Sequence, residues 1–177
     1  MSLPGTLFLD IMAEQLIITA KDKAGIYAEL MPQIEAVVSS ESDMVANMAN
    51  FSAILKEAFN FWWVGFYIVK DVADGQQELV LGPFQGPLAC TRIRKGRGVC
   101  GTCWERAETV VVPDVEQFPG HIACSSLSRS EIVVPVFSAS GEVMAVLDID
   151  SEHLENFDVT DKEWLEKILS KIKFADK

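Results

Sequence analysis

The apolar residues change their period along this chain, and that change limits the possible folds more than any other feature. From Lys23 to Ser39, the residues Ala24, Tyr27, Leu30, Met31, Ile34, Val37 and Val38 recur at helical spacing. A second helix is predicted from Asp43 to Asn60, capped by Ser42 or Asp43. Its apolar stripe is Val45, Met48, Ala49, Ala53, Ile54, Leu55 and Phe59. After Phe61 the pattern becomes that of strands. The run from Trp62 to Val69 is dense in aromatic and β-branched residues, Asp74-Gly75 marks a turn, and Glu78 to Phe84 is the returning strand. A third strand is expected from Leu88 to Ile93, a short helix from Val99 to Ala107, and another strand from Thr109 to Val112. Glu131 to Phe137 and Gly141 to Asp150 form a second hairpin around residues 138–141. A last helix starts at Thr160 as its cap, with Trp164, Leu165, Ile168, Leu169 and Ile172 on one face. The order predicts an α+β fold, a central antiparallel β-sheet packed by N- and C-terminal helices. Residues 1–22 are expected to be an extension and residues 23–177 the domain.

A domain of 177 residues buries about two-thirds of its unfolded surface, so it needs neither a disulfide nor a metal to fold. With 26 acidic against 15 basic residues it carries a formal charge of −11, a field that repels nucleic acid and anionic membranes. Neither is therefore an expected partner. No run approaches the roughly 18–20 apolar residues of a membrane span. The apolar run Leu7-Phe8-Leu9 has no basic segment before it and is followed by Asp10 and Glu14, unlike a signal peptide. A cytoplasmic, reducing location is the expectation. Cysteines in such a compartment are more often reactive, metal-bound or simply buried than permanently bridged.

Four cysteines occur, at positions 90, 100, 103 and 124. Cys124 lies in the run His121-Ile122-Ala123-Cys124-Ser125-Ser126, within an irregular stretch from Pro113 to Ser130. Loops that long in a compact domain usually carry function. The other cysteines are available as partners, and Glu131, Asp148 and Asp150 downstream could hold a cationic or protonatable ligand. This combination points to redox chemistry on a small polar molecule. Blander readings stand beside it. Cys103, next to Trp104, reads as a small buried hydrophobe. Cys100-Gly101-Thr102-Cys103 has thioredoxin-like spacing without the βαβ context. The four cysteines could instead hold zinc, but a second close pair is missing, so no metal is assigned. Arg92, Arg94, Lys95 and Arg97 are either a solvated loop or the source of one arginine for a substrate carboxylate. Trp62 and Trp63, adjacent on a strand, should face opposite sides. His121 is not given a catalytic part.

The strings Trp63-Val64-Gly65-Phe66-Tyr67, Gly96-Arg97-Gly98-Val99-Cys100-Gly101, His121-Ile122-Ala123-Cys124, Ser130-Glu131-Ile132-Val133-Val134-Pro135 and Val146-Leu147-Asp148-Ile149-Asp150-Ser151 occur in this order. Together they resemble the free methionine-(R)-sulfoxide reductases, single-domain proteins of the GAF fold. The resemblance implies that Cys124 attacks the sulfoxide while Cys90 and Cys100 resolve and relay the oxidised state. It implies further that Glu131, Asp148 and Asp150 belong to the substrate pocket and that Trp63 and Tyr67 line it. Free methionine-(R)-sulfoxide would be the substrate and thioredoxin or another dithiol the external reductant, with no bound cofactor. A homodimer is in keeping with the habit of GAF domains of pairing through terminal helices. Ser125 departs from the acidic residue common after the attacking cysteine, and Cys103 falls outside the three-cysteine pattern. The competing classes are a GAF-type sensor without turnover and a zinc-stabilised binding module.

Overall fold

The computed structural model describes residues 15–121 and 127–172. Helix α1 spans Lys23–Ser39 and starts where the Asp22 carboxylate accepts from the Gly25 N–H. Helix α2 spans Met44–Phe59, with Asp43 capping the Ala46 N–H and Asn60 closing the far end in the left-handed region. Each cap supplies a partner for a backbone group that the helix cannot satisfy itself, worth about 1 kcal/mol. Strands β1 (Trp63–Asp71) and β2 (Gln77–Gln85) form the first hairpin, and β3 (Arg92–Arg94) follows. Helix α3 (Gly98–Arg106) and strand β4 (Val110–Val112) precede the second hairpin, β5 (Ser130–Phe137) and β6 (Val143–Ser151). Helix α4 covers Val159–Leu169.

The six strands form one antiparallel sheet in the order β3-β2-β1-β6-β5-β4. Its register sorts side chains onto two faces, because alternate residues of a strand point opposite ways. Val64, Phe66 and Ile68 of β1, Leu147 and Ile149 of β6, and Ile132, Val134 and Val136 of β5 all turn to one face. There they pack with Tyr27, Leu30 and Ile34 of α1, Met48, Phe51 and Leu55 of α2, and Leu165 and Ile168 of α4. Trp63, Tyr67, Val133 and Val146 turn to the other face and pack with Val99, Cys100, Cys103 and Trp104 of α3. The large core therefore holds the sheet from behind and leaves the α3 face to build a site.

Several expectations need correction. The third strand is confined to Arg92–Arg94. The preceding segment carries Gly86 at φ +142° and Pro87, which has no N–H for a ladder. Trp63 Nε1 donates to the Pro87 carbonyl at 3.1 Å and Tyr67 Oη to the Cys90 carbonyl at 3.0 Å, so this loop is tied to side chains instead. In α2, Val45 is exposed and so is Ala53, while Asn47, Phe51 and Ser52 are buried. The buried stripe is rotated because α2 packs against both β1 and β2. The α4 cap is Asp158, not Thr160; the Thr160 N–H is the donor that Asp158 accepts. Asp161 completes a capping box there and is fully buried, bound by Tyr27 Oη at 3.0 Å and Lys23 Nζ at 2.5 Å. This links α1 to α4 through one carboxylate. The segment before α1 also lies along that helix, with the Thr19 and Ala20 N–H groups donating to Glu29.

Gly65 is a point of close approach between β1 and β2. A Cβ there would lie 2.3 Å from the Phe84 Cβ and 2.7 Å from the Trp63 ring. Trp63 stacks on Phe84 with ring centroids 5.3 Å apart and on Tyr67 at 5.9 Å. Gly65→Ala is expected to destabilise the protein by about 1–3 kcal/mol, because the added methyl overpacks a backbone contact that cannot move away. A urea midpoint equal to that of the wild type would contradict this.

Candidate active site

The pocket grows directly out of strand register. Glu131 of β5 pairs with Asp150 of β6, and Asp150 pairs on its other side with Trp63 of β1. One row along, Val133, Asp148 and Gly65 lie side by side. Pairing of this kind sends neighbouring side chains to the same face, so three carboxylates gather next to the Trp63 indole. Tyr67 lies in the following row, beside Val146. Helix α3 lies across this face and brings Cys100. Its close approach depends on Gly101, where a Cβ would sit 2.4 Å from the Arg94 carbonyl oxygen.

Sixteen residues line the resulting pocket, among them Trp63, Tyr67, Cys100, Glu131, Asp148 and Asp150. Six of the eight residues singled out from the sequence are thus brought together. Cys90 sits on the loop that Trp63 and Tyr67 hold over the pocket, and it is disulfide-bonded. The thiols of Cys100 and Cys103 are free and buried. Cys124 lies outside the described residues, as does Ser125. Cys103 packs among the apolar residues under α3.

The electrostatics are unusual because the acids have so little water. Glu131 and Asp148 are 6% and 7% exposed. Ligand atoms of Cys100, Glu131 and Asp148 all lie within 4.8 Å of one another. Burial, then the neighbouring acids, raises the Glu131 pKa well above the usual carboxylate range. Burial and Asp150 do the same to Asp148, although hydrogen bonds from Cys100 and Glu131 oppose the shift. Asp150 is pushed up to about 6 by burial, with its hydrogen bond from Ser128 Oγ working against the rise. Two acids this close and this dry cannot both ionise, so they hold a proton between them. The same surroundings push the Cys100 thiol up: burial first, then Asp148 and Glu131. A position near a helix N-terminus ordinarily favours thiolate, but here desolvation and two acids outweigh it. Cys100 is consequently a thiol at neutral pH.

One oxygen of the cluster is unpaired. Asp148 Oδ1 is buried without a hydrogen-bond partner among the described residues, and so is Trp62 Nε1. An unpaired buried polar atom costs about 1–3 kcal/mol, which a ligand can recover. Around the rim, His121 Nε2 lies 3.9 Å from Glu131 Oε2, and burial lowers the His121 pKa. A neutral imidazole leaves the carboxylates without a fixed countercharge.

The sequence had left the basic cluster open, and the structure divides it. Arg92 and Arg94 pair with Glu78. Lys95 lies over the Trp104 ring at 5.1 Å, and Arg97 alone of the four lines the pocket. Trp62 and Trp63 do not separate to opposite faces; both line the pocket, because Trp62 precedes β1 and escapes its alternation. Ser128 was missed altogether. It sits in a serine-rich loop with no period, and only the folded register shows that it reaches Asp150.

These features can be compared with known proteins. The GAF domain family model matches residues 51–175. The chain is 57% identical over 158 residues to GAF domain-containing protein A of Dictyostelium discoideum, covering 89% of this chain and 97% of that protein. It is 41% identical to the free methionine-R-sulfoxide reductase of Saccharomyces cerevisiae, covering 83% of each. The crystal structure of the free methionine-R-sulfoxide reductase of Neisseria meningitidis in complex with its substrate superposes with a TM-score of 0.85 at 58% identity. That match covers 90% of this chain and 93% of the other. Identity of this order, sustained from end to end on the same GAF sheet, means that the chain belongs to the free methionine-R-sulfoxide reductase family of GAF-domain proteins.

Proposed function

We propose that this protein reduces free L-methionine-(R)-S-oxide to L-methionine. The observation that carries the reading is the buried trio of Cys100, Glu131 and Asp148, whose Asp148 Oδ1 lacks a partner. Such a site wants a cation or a donor, and the ammonium of a free amino acid provides both. A methionine sulfoxide within a peptide chain has no ammonium to offer. Trp62, Trp63 and Tyr67 supply apolar walls for the thioether chain, and Arg97 is positioned at the pocket for the carboxylate.

The chemistry then needs a thiolate, a proton and a second thiol. Cys124 attacks the sulfoxide sulfur; the oxygen takes up a proton, methionine leaves, and Cys124 becomes a sulfenic acid. The proton comes from the Glu131–Asp148 pair, which keeps one at neutral pH. Cys90 condenses with the sulfenic acid and releases water. Cys90 is disulfide-bonded while Cys100 and Cys103 are free, which supports Cys124 as its partner and Cys90 as the resolving thiol. An external dithiol, thioredoxin or an equivalent, reopens the disulfide. Cys100, held protonated by burial and then by its acidic neighbours, serves as a relay rather than the first attacker. The catalytic unit is the domain from residue 23 onward, with residues 1–22 as an extension, in a reducing cytoplasmic compartment. No helix among the described residues is long and apolar enough to cross a membrane.

The direct test is methionine formation from free methionine-(R)-sulfoxide with thioredoxin. Cys124→Ser should fall to roughly a thousandth of wild-type activity or less, as for loss of a nucleophile. Cys90→Ser should still form about one methionine per enzyme in a single turnover and then stall with thioredoxin. Wild type without product would overturn the reductase reading in favour of a sensor. A Cys124→Ser variant that turns over normally would overturn the assignment of the nucleophile.

Glu131→Gln and Asp148→Asn should each raise KM by about 10–100-fold, the value of one charge-assisted hydrogen bond. An unchanged KM in both would remove the ammonium site.

The raised carboxylates also set the pH dependence of stability. Their folded pKa values lie above the roughly 4 of an unfolded chain, so the folded state binds these protons more tightly. Their contribution is complete below about pH 4, declines as pH rises through about 6 for Asp150, and declines further as Glu131 and Asp148 ionise. The urea midpoint of the ligand-free protein should therefore drop as pH rises from about 4 through about 6 and keep falling above it, and Asp148→Asn should flatten the drop. A midpoint that climbs as pH rises through about 6 would contradict the shifts.

A further inference from the structure

We propose that Cys100, Glu131 and Asp148, with His121 completing the set, form a binding site for a zinc-class divalent cation that blocks the substrate pocket. The three ligand atoms already lie within 4.8 Å of one another. Ligands around a tetrahedral zinc, at bond lengths of about 2.0–2.3 Å, are separated by about 3.3–3.8 Å, so small side-chain rotations close the set. His121 Nε2 lies 3.9 Å from Glu131 Oε2, within reach of a fourth position. Asp148 supplies an independent sign of a missing ligand: it is more than nine-tenths buried, it lines the pocket, and its Oδ1 has no partner. One sulfur, two carboxylate oxygens and one imidazole nitrogen suit zinc, cadmium or cobalt(II), and are poorly matched to magnesium or calcium, which prefer all-oxygen shells.

This differs from a structural zinc held by four cysteines. Cys90 is disulfide-bonded, and Cys103 lies outside the trio. On binding, Cys100 releases its thiol proton to solvent as the sulfur–metal bond forms, with no change of oxidation state. The cation would occupy the place we give to the substrate ammonium, so its inhibitory consequence rests on the proposed reductase reading. Binding itself does not.

The test uses the full-length protein with its disulfide closed and no added thiol reductant, so that only Cys100 and Cys103 offer free thiols. Cobalt(II) chloride is the probe, read by visible absorption for tetrahedral geometry and by sulfur-to-cobalt charge transfer for thiolate ligation. One equivalent should produce both signals, and zinc chloride should bleach them. Cys100→Ser should lose the charge-transfer band and Cys103→Ser should keep it. Glu131→Gln should weaken binding while its circular dichroism matches wild type. Absence of both signals in wild type, or a charge-transfer band that survives in Cys100→Ser, would overturn the site. Free methionine in excess should compete with the metal. Cobalt that binds through Cys100 yet ignores methionine would leave the metal site standing and count against the ammonium site.

Discussion

Glu131, Asp148 and Asp150 project from adjacent strands onto one face of a sheet, in a pocket where their charges have little water and no lysine or arginine in an ion pair with them among the described residues. That crowding is the constraint on which the rest of the site depends. Burial together with this crowding raises the pKa values of Glu131 and Asp148 and holds Cys100 as a thiol, and one Asp148 oxygen is left unsatisfied. A folded protein bears such a cost only when other contacts carry it. Here they are the apolar layer behind the sheet, where α1, α2 and α4 bury Tyr27, Phe51, Leu55, Phe66, Ile132, Leu147 and Leu165, and the Tyr27–Asp161–Lys23 contact that fastens α1 to α4.

The aromatic residues of β1 bind backbone as well as lining the pocket. Trp63 and Tyr67 form part of the pocket wall, and their polar ends hold the carbonyls of Pro87 and Cys90. The loop carrying Cys90 is thereby fixed relative to the carboxylates, through side chains that the same strand register places. In the redox cycle proposed above this matters because a disulfide requires its two sulfurs at a defined approach. Gly65 and Gly101 contribute by omission, since each admits a backbone or ring contact that a methyl group would block.

Much of the fold was legible from period alone. The bounds of α1 agree with its apolar spacing to the residue, and both hairpins follow from β-branched runs around Asp74-Gly75 and residues 138–141. Errors arose where tertiary contact overrides local pattern. The expected strand start at Leu88 fails because the Pro87 and Cys90 carbonyls are claimed by Trp63 and Tyr67. Trp62 lies just before the ladder that would have governed its direction. For the site, residue types and motif order identified six pocket residues, while the places of Ser128, Trp62 and Arg97 in the pocket depend on distances that a one-dimensional pattern does not encode. The burial of Asp161 was likewise invisible: its capping contact with Asp158 is local, but Tyr27 and Lys23, which enclose it, are more than a hundred residues away in sequence.

In the proposed mechanism Glu131 and Asp148 share the proton that the sulfoxide oxygen takes up, so a ligand ammonium must settle on their remaining negative charge and leave that proton in place. Calorimetric titration with free methionine, in buffers of similar pH and different ionisation enthalpy, measures any proton exchanged on binding. Near neutral pH, binding without net proton release is expected, and Asp148→Asn should weaken it. Release of about one proton per methionine bound would contradict this arrangement.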